Sequence, residues 1–398
     1  MRIAILTSGI LPVPAVQGGA VENLIDFYLE YNDRHRLHDI TVYSIWHPDV
    51  EQHPALNTKV NHYIYIKVNS LWGRLKKYIY KQTHKEGYYH YTIEYFLDEV
   101  IRLIKHRQYD IILLENRPGY TLRIQDLTTS KIVIHQENDF LNDQSKEGMT
   151  IYDKAALIIN TSDYITRRVK TIDKNSYKCK TVLNGIDTDC FYTAISQKRD
   201  FMGFHDTDFV IVYSGRLNKE KGILELLQAI KKINRADIKL LIIGGSFYGK
   251  DKQPTEFIHL LKQESEAVKD KVVFTGYLNY EQIPSYLKMA DIAVVPSMWD
   301  EPFGLTVVEA LAAGLPLITT RSGGIPEICD GVATIVDRED IVNNLAKAIL
   351  DLYKDPKKRQ AMSKDGLERS KRFSKERFSK EFFEVLESVC QPHRIEGR

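Results

Sequence analysis

The chain has 398 residues. That exceeds one ordinary core and suits two domains of roughly 180–200 residues each. Its 43% apolar and 27% charged residues are those of a soluble globular protein, and a net charge of only +2 excludes general polyanion binding by the whole molecule. No apolar run approaches the ~20 residues needed to span a bilayer.

The N-terminal MRIAILTSGILPVPA has one charge and an apolar run, but prolines follow and no small-residue cleavage site does. It reads as a buried first strand. Gly18 and Gly19 follow, ahead of a helical pattern, and would let backbone approach a phosphate or an acceptor. The dinucleotide fingerprint GxGxxG is absent. DITVYSI, HYIYIKV, DIILLEN, KIVIHQE and ALIINTS continue the strands of a first half.

Between them, residues 67–91 carry Lys67, Arg74, Lys76, Lys77, Lys81 and Lys85 against one acid, Glu86, with aromatics interleaved. Two readings stand. One is a basic amphipathic helix that meets an anionic membrane surface. The other is a solvated helix whose aromatics pack on the first domain. His135 ends the predicted strand KIVIHQE and is expected to face a ligand there, although a single histidine is often structural.

The polar, irregular stretch around residues 185–205 is expected to join the domains, which are set at 1–190 and 191–375. It contains two Asp-Thr-Asp triplets, Asp187–Asp189 and Asp206–Asp208, read as turn and capping acids, so no metal site is expected. The four cysteines show neither CxxC nor metal-like spacing and are read as reduced thiols.

FVIVYSG, KLLIIGG, KVVFTGY, IAVVPSM and PLITTRS are the strands of the second half. Continuous apolar strands alternating with helices imply two doubly wound, Rossmann-like α/β domains facing each other across a cleft. Arg216 and Lys221 lie in the loop after FVIVYSG, where a fixed guanidinium and a flexible ammonium suit a diphosphate leaving group. WDEPFGLTVVEALAAG places Glu301 in a loop after a strand and Glu309 inside the helix that follows. Pro302 and Gly304 allow the turn, and backbone N–H groups at the helix start offer an anion site. Carboxylates on either side of that site are placed to accept from hydroxyls. A nucleotide sugar has that shape.

The C-terminal segment is expected to be helical, with Phe378, Phe382, Leu386 and Val389 forming an apolar stripe. The helix is set at 376–394, packing back on the first domain. The final IEGR reads as an appended protease-recognition tag.

EPFGLTVVEALAAGLPLI resembles the glutamate-x7-glutamate signature of family-4 retaining glycosyltransferases of the GT-B fold. SGRLNKEKG is similar to their Arg/Lys loop, QGGAVENL to their glycine loop, and VLNGID to their interdomain motif. The resemblance implies that Glu301 binds donor-sugar hydroxyls, Glu309 the ribose, and Arg216 and Lys221 the diphosphate. It implies that Phe303, Gly304, Leu305 and Thr306 present backbone donors, that Gly19 lies near the diphosphate or acceptor, and that His135 contacts the sugar. It further implies a metal-independent, cofactor-free transfer from a nucleotide-sugar donor, with uridine as the base, to a glycan or lipid-linked acceptor. Surface polysaccharide or glycoconjugate synthesis is the setting, in the cytoplasm or at the inner face of the plasma membrane, and no nucleic acid is involved. A nucleotide-sugar epimerase of the same architecture and a non-catalytic nucleotide-sugar binder are the alternatives.

Overall fold

In the computed structural model, residues 1–245 and 256–390 are described. They fall into two units: Met1–Asn184 with the segment from Glu376 onward, and Gly185–Lys375. The IEGR tetrapeptide lies outside the described residues.

The first unit is built on seven strands: β1 (Arg2–Leu6), β2 (Asp39–Ile45), β3 (Asn61–Ile66), β4 (Ile111–Glu115), β5 (Lys131–Gln136), β6 (Leu157–Asn160) and β7 (Cys179–Thr181). All pairings are parallel, in the order β3-β2-β1-β4-β5-β6-β7. The period of two sends Ile3, Ile5, Ile111, Leu113 and Val133 into one buried layer and Ala4, Leu6, Ile112, Leu114 and Ile134 into the other. Helices therefore cover both faces, which is why these strands read as unbroken apolar runs.

The second unit carries β8 (Phe209–Ser214), β9 (Ile238–Ile243), β10 (Val272–Gly276), β11 (Ile292–Val295), β12 (Leu317–Thr320) and β13 (Thr334–Val336). They too are all parallel, ordered β10-β9-β8-β11-β12-β13. Both sheets thus reverse direction of growth once, next to their first strand. The Rossmann-like expectation holds for each unit.

The C-terminal stretch is two helices, Pro356–Ser370 and Lys375–Ser388, separated by a short turn over Lys371–Phe373. Phe378, Phe382 and Leu386 are fully buried, in one cluster with Leu24, Ile25 and Tyr28 of the helix Ala20–His35. Phe382 stacks on Tyr28 with ring centroids 4.6 Å apart. The aromatic stripe is therefore part of the first unit's core.

The basic stretch forms the helix Leu71–Thr83. Tyr80 turns inward, but Leu71, Trp72, Leu75, Tyr78 and Ile79 are exposed, Leu71 by 83% and Trp72 by 75%. Most of the apolar stripe of this helix faces water, so the reading in which the aromatics pack on the domain fails within it except at Tyr80, and holds beyond it at Tyr88 and Tyr89. No helix among the described residues is long and apolar enough to cross a membrane.

Candidate functional site

Open parallel sheets take ligands outside the carboxyl ends of their strands, where the strand order reverses. In the second unit that point lies between β8 and β11, and the Arg216–Lys221 loop follows one while the Glu301 loop follows the other. The loops are fastened together. Met298 donates its backbone N–H to the Glu220 carbonyl at 2.8 Å. Gly222, at φ +69, lies so close that a Cβ would stand 1.8 Å from the Pro296 carbonyl oxygen. Only glycine fits there, and its neighbour is Lys221.

Lys221 Nζ donates to Glu301 Oε1 at 2.5 Å, and Ser297 Oγ donates to the same oxygen at 2.7 Å. Oε2 of Glu301 has no hydrogen-bond partner among the described residues. The ammonium also lies 5.2 Å from the Trp299 ring centroid. The structure thus brings Lys221 and Glu301, 80 residues apart in sequence, into one ion pair with the carboxylate buried and the lysine four-fifths so. Arg216 lies in the same loop, its carbonyl accepting from the Tyr213 hydroxyl at 2.8 Å.

The glycine pair behind the helix has its own part in this. Gly324 donates its N–H to the Glu301 carbonyl at 2.7 Å, and at Gly323, φ +52, a Cβ would approach that carbonyl oxygen to 2.2 Å. Thr320 and Ser322 both donate to the Ser297 carbonyl. The Glu301 loop is therefore gripped from β12 as well. Ser297, Trp299, Gly323 and Gly324 contact the Lys221–Glu301 pair or its loop and were not among the residues that pattern reading singled out. The pair of glycines after PLITTRS was the available signal.

Gly304, at φ +119, opens the helix Leu305–Ala312. Its position makes the Leu305 and Thr306 N–H groups the unpaired donors of the first turn. The Phe303 side chain is buried against Phe373, so only its backbone is available. Glu309 is inside the same helix and buried. Burial pushes its carboxyl up to about 7, and the Tyr280 hydroxyl beside it pulls in the opposite direction.

In the first unit, Gly19 sits at φ +113 and caps the helix Ala20–His35. The group nearest to it is a carboxylate: a Cβ there would lie 2.2 Å from Glu22 Oε2. His135 differs from its expectation. It is fully buried, with Nδ1 2.9 Å from Glu115 Oε2 and Nε2 2.9 Å from Glu137 Oε1. Burial works to lower its pKa, but the two carboxylates outweigh it and raise it to about 10. Phe382 covers the ring at 4.9 Å. A histidine with no exposed surface presents nothing to a sugar. Its ring lies in the interior between Glu115 of β4, Glu137 just beyond β5 and Phe382 of the C-terminal helix.

One acid of each Asp-Thr-Asp triplet makes a local backbone contact, Asp187 capping the helix Thr188–Thr193 and Asp208 closing a turn. Asp187 Oδ1 accepts from Cys190 N–H at 3.1 Å, and Asp208 Oδ2 from His205 N–H at 2.8 Å. Among the described residues no group of three or more His, Cys, Asp or Glu side chains is arranged to hold a metal ion.

Comparison with known proteins agrees with this architecture. Residues 195–369 match the family described as Glycosyl transferases group 1. The chain is similar to the putative glycosyltransferase YtcC of Bacillus subtilis, 27% identical over 383 residues that cover 92% of this chain and 86% of that one. In fold it is similar to the Anabaena protein HepE solved with UDP-glucose, at a TM-score of 0.75, 20% identity, and coverage of 98% of this chain and 100% of that one. It is likewise similar to a sucrose-phosphate synthase from Thermosynechococcus elongatus, at a TM-score of 0.77, 20% identity, and coverage of 98% and 99%. Residues 195–369 thus carry the sequence pattern of the group 1 glycosyltransferases, in a chain with the GT-B fold.

Proposed function

We propose that this protein transfers a sugar from a nucleoside diphosphate donor, uridine first among those to test, to a hydroxyl of a glycan or lipid-linked acceptor, with retention of anomeric configuration. The observation that carries the reading is the Lys221–Glu301 pair at the switch point of the second sheet. A cation and a carboxylate held together there are one salt bridge in the free protein. A donor splits them, its diphosphate taking the ammonium and its sugar hydroxyls the carboxylate.

In this mechanism Arg216 and Lys221 neutralise the charge that grows on the departing diphosphate. The N–H groups of Gly304, Leu305 and Thr306 and that of Phe303 add fixed donors at the helix start. Glu301 fixes the sugar ring and Glu309 accepts from the ribose. The acceptor hydroxyl attacks the anomeric carbon from the side the diphosphate leaves, and a phosphate oxygen takes its proton. The cationic side chains supply the neutralisation, so the proposal needs no resident metal or cofactor. Gly19, at the corresponding end of β1, is assigned to the acceptor side. His135 is left with an interior, positioning role.

The test is thermal melting of the full chain with nucleoside diphosphates and their sugars. A ligand at a hundred times its Kd adds about 2.7 kcal/mol of stability. One nucleotide series is expected to raise the melting temperature by several degrees. No response to any of them contradicts the proposal.

The acceptor-side assignment extends to the membrane. The helix Leu71–Thr83 turns Trp72, Leu75, Tyr78 and Ile79 to solvent beside Lys76, Lys77 and Lys81. Such a face fits the surface of an anionic bilayer, where each basic residue contributes about 1 kcal/mol. Binding to phosphatidylglycerol vesicles is expected to weaken with salt and when the three lysines are neutralised. Absent or salt-independent binding removes the membrane contact.

A further inference from the structure

The first sheet has a switch point of its own, between β1 and β4. Arg117 stands there, two residues beyond β4, and is 7% exposed. Its Nε donates to the Ser8 carbonyl beyond β1 at 3.2 Å, and its Nη1 to the Asn116 carbonyl at 3.0 Å. The Tyr120 hydroxyl also lies against the guanidinium, but among the described residues no carboxylate forms an ion pair with it. Glu22 attracts it, but burial pushes the Glu22 carboxyl up to about 7, so that counter-charge is incomplete. Buried charges are normally paired, because an unpaired one loses its hydration without return.

The backbone is bent to present this group. Asn116, just before it, is in the left-handed region at φ +54, a conformation that persists where surroundings impose it. The ring of Tyr89 lies 5.5 Å from the guanidinium carbon and that of Phe140 6.0 Å. Tyr89 is pinned by Gly119, whose N–H donates to its hydroxyl at 2.9 Å. Phe140 is 44% exposed.

We propose that Arg117, Tyr89 and Phe140 form an acceptor subsite for a sugar residue that carries an anionic group, a carboxylate or a phosphate. The guanidinium edge pairs with the planar or tetrahedral oxygens. The rings take the apolar face of the sugar. This rests on the transferase reading, which makes the ligand an acceptor.

The test is calorimetric titration of the full chain with methyl β-glucuronide, glucose 1-phosphate and the neutral methyl β-glucoside. At least one charged glycoside is expected to bind about tenfold or more tightly than the neutral one, with the advantage falling as salt is raised. The tighter of the two charged compounds identifies carboxylate or phosphate. Arg117→Met keeps the aliphatic stem and is expected to erase the difference. If that variant melts early, Phe140→Ala carries the test, since it removes a half-exposed ring and is expected to weaken every glycoside. Equal affinity for charged and neutral glycosides, or full discrimination after both substitutions, overturns the subsite. A protein that binds the charged glycosides but no nucleoside diphosphate supports the subsite and contradicts the transferase reading. One that binds uridine diphosphate yet ignores charge on the glycoside overturns the subsite alone.

Discussion

Lys221→Ala is expected to weaken uridine diphosphate binding by roughly 10- to 100-fold, because a hydrogen bond to a charged group contributes about 1.5–3 kcal/mol. Glu301→Gln is expected to act in the other direction on the same ligand. In the free protein the carboxylate holds Lys221 Nζ at 2.5 Å, so the diphosphate must displace it. Removing its charge leaves uridine diphosphate affinity unchanged or a few-fold tighter. Donor turnover falls by about 100-fold or more, since the sugar exchanges a charged acceptor with two oxygens for a neutral amide with one, while the leaving group keeps its cation. Titration calorimetry and initial rates on the two variants separate these effects. Wild-type affinity in Lys221→Ala, or equal loss of nucleotide binding in both, contradicts the division of labour.

The second large effect concerns stability. The Glu309 carboxyl, raised by burial to about 7 from its ordinary 4.5, holds its proton more tightly in the folded chain. Between those two values the native state binds more protons than the unfolded one, so stability falls as pH rises. Above about 7 the full penalty is present, of order 3 kcal/mol at most, because a tenfold change in proton affinity corresponds to about 1.4 kcal/mol. Glu309→Gln carries no such charge. At pH 8 it is expected to melt above the wild type while binding the nucleotide more weakly. Near pH 4 the stability gain disappears. Melting curves at the two pH values check this, and a variant that is less stable at pH 8 refutes it. A residue that costs stability and is repaid in binding is what a functional carboxylate at this position requires.

Much of the fold could be read from local pattern. β-branched runs such as FVIVYSG and DIILLEN announce fully covered parallel strands, and both sheets contain them. β7 and β13 escaped because three residues carry too little pattern. Phe378, Phe382 and Leu386 were legible as a stripe, since helical spacing is local. What the stripe covers was not.

That difference explains His135. Its own neighbourhood, IVIHQE, marks a strand end near a ligand crevice. Its burial is decided by Phe382, far along the chain, and by Glu115 on the adjacent strand. The Lys221–Glu301 pair is also a long-range fact, although each member stood in a recognisable loop. Gly323 and Gly324 were visible as a pair, but their purpose depends on the approach of the Glu301 backbone. Arg117 carried no motif. Only the strand order, which puts β4 beside β1, makes that position special.

The most direct measurement is a crystal structure of the chain with uridine diphosphate bound. The diphosphate oxygens are expected within hydrogen-bond distance of Lys221 Nζ and of the N–H groups from Gly304 to Thr306, with the Lys221–Glu301 salt bridge opened. Nucleotide bound elsewhere, with that bridge intact, would contradict the proposed donor site.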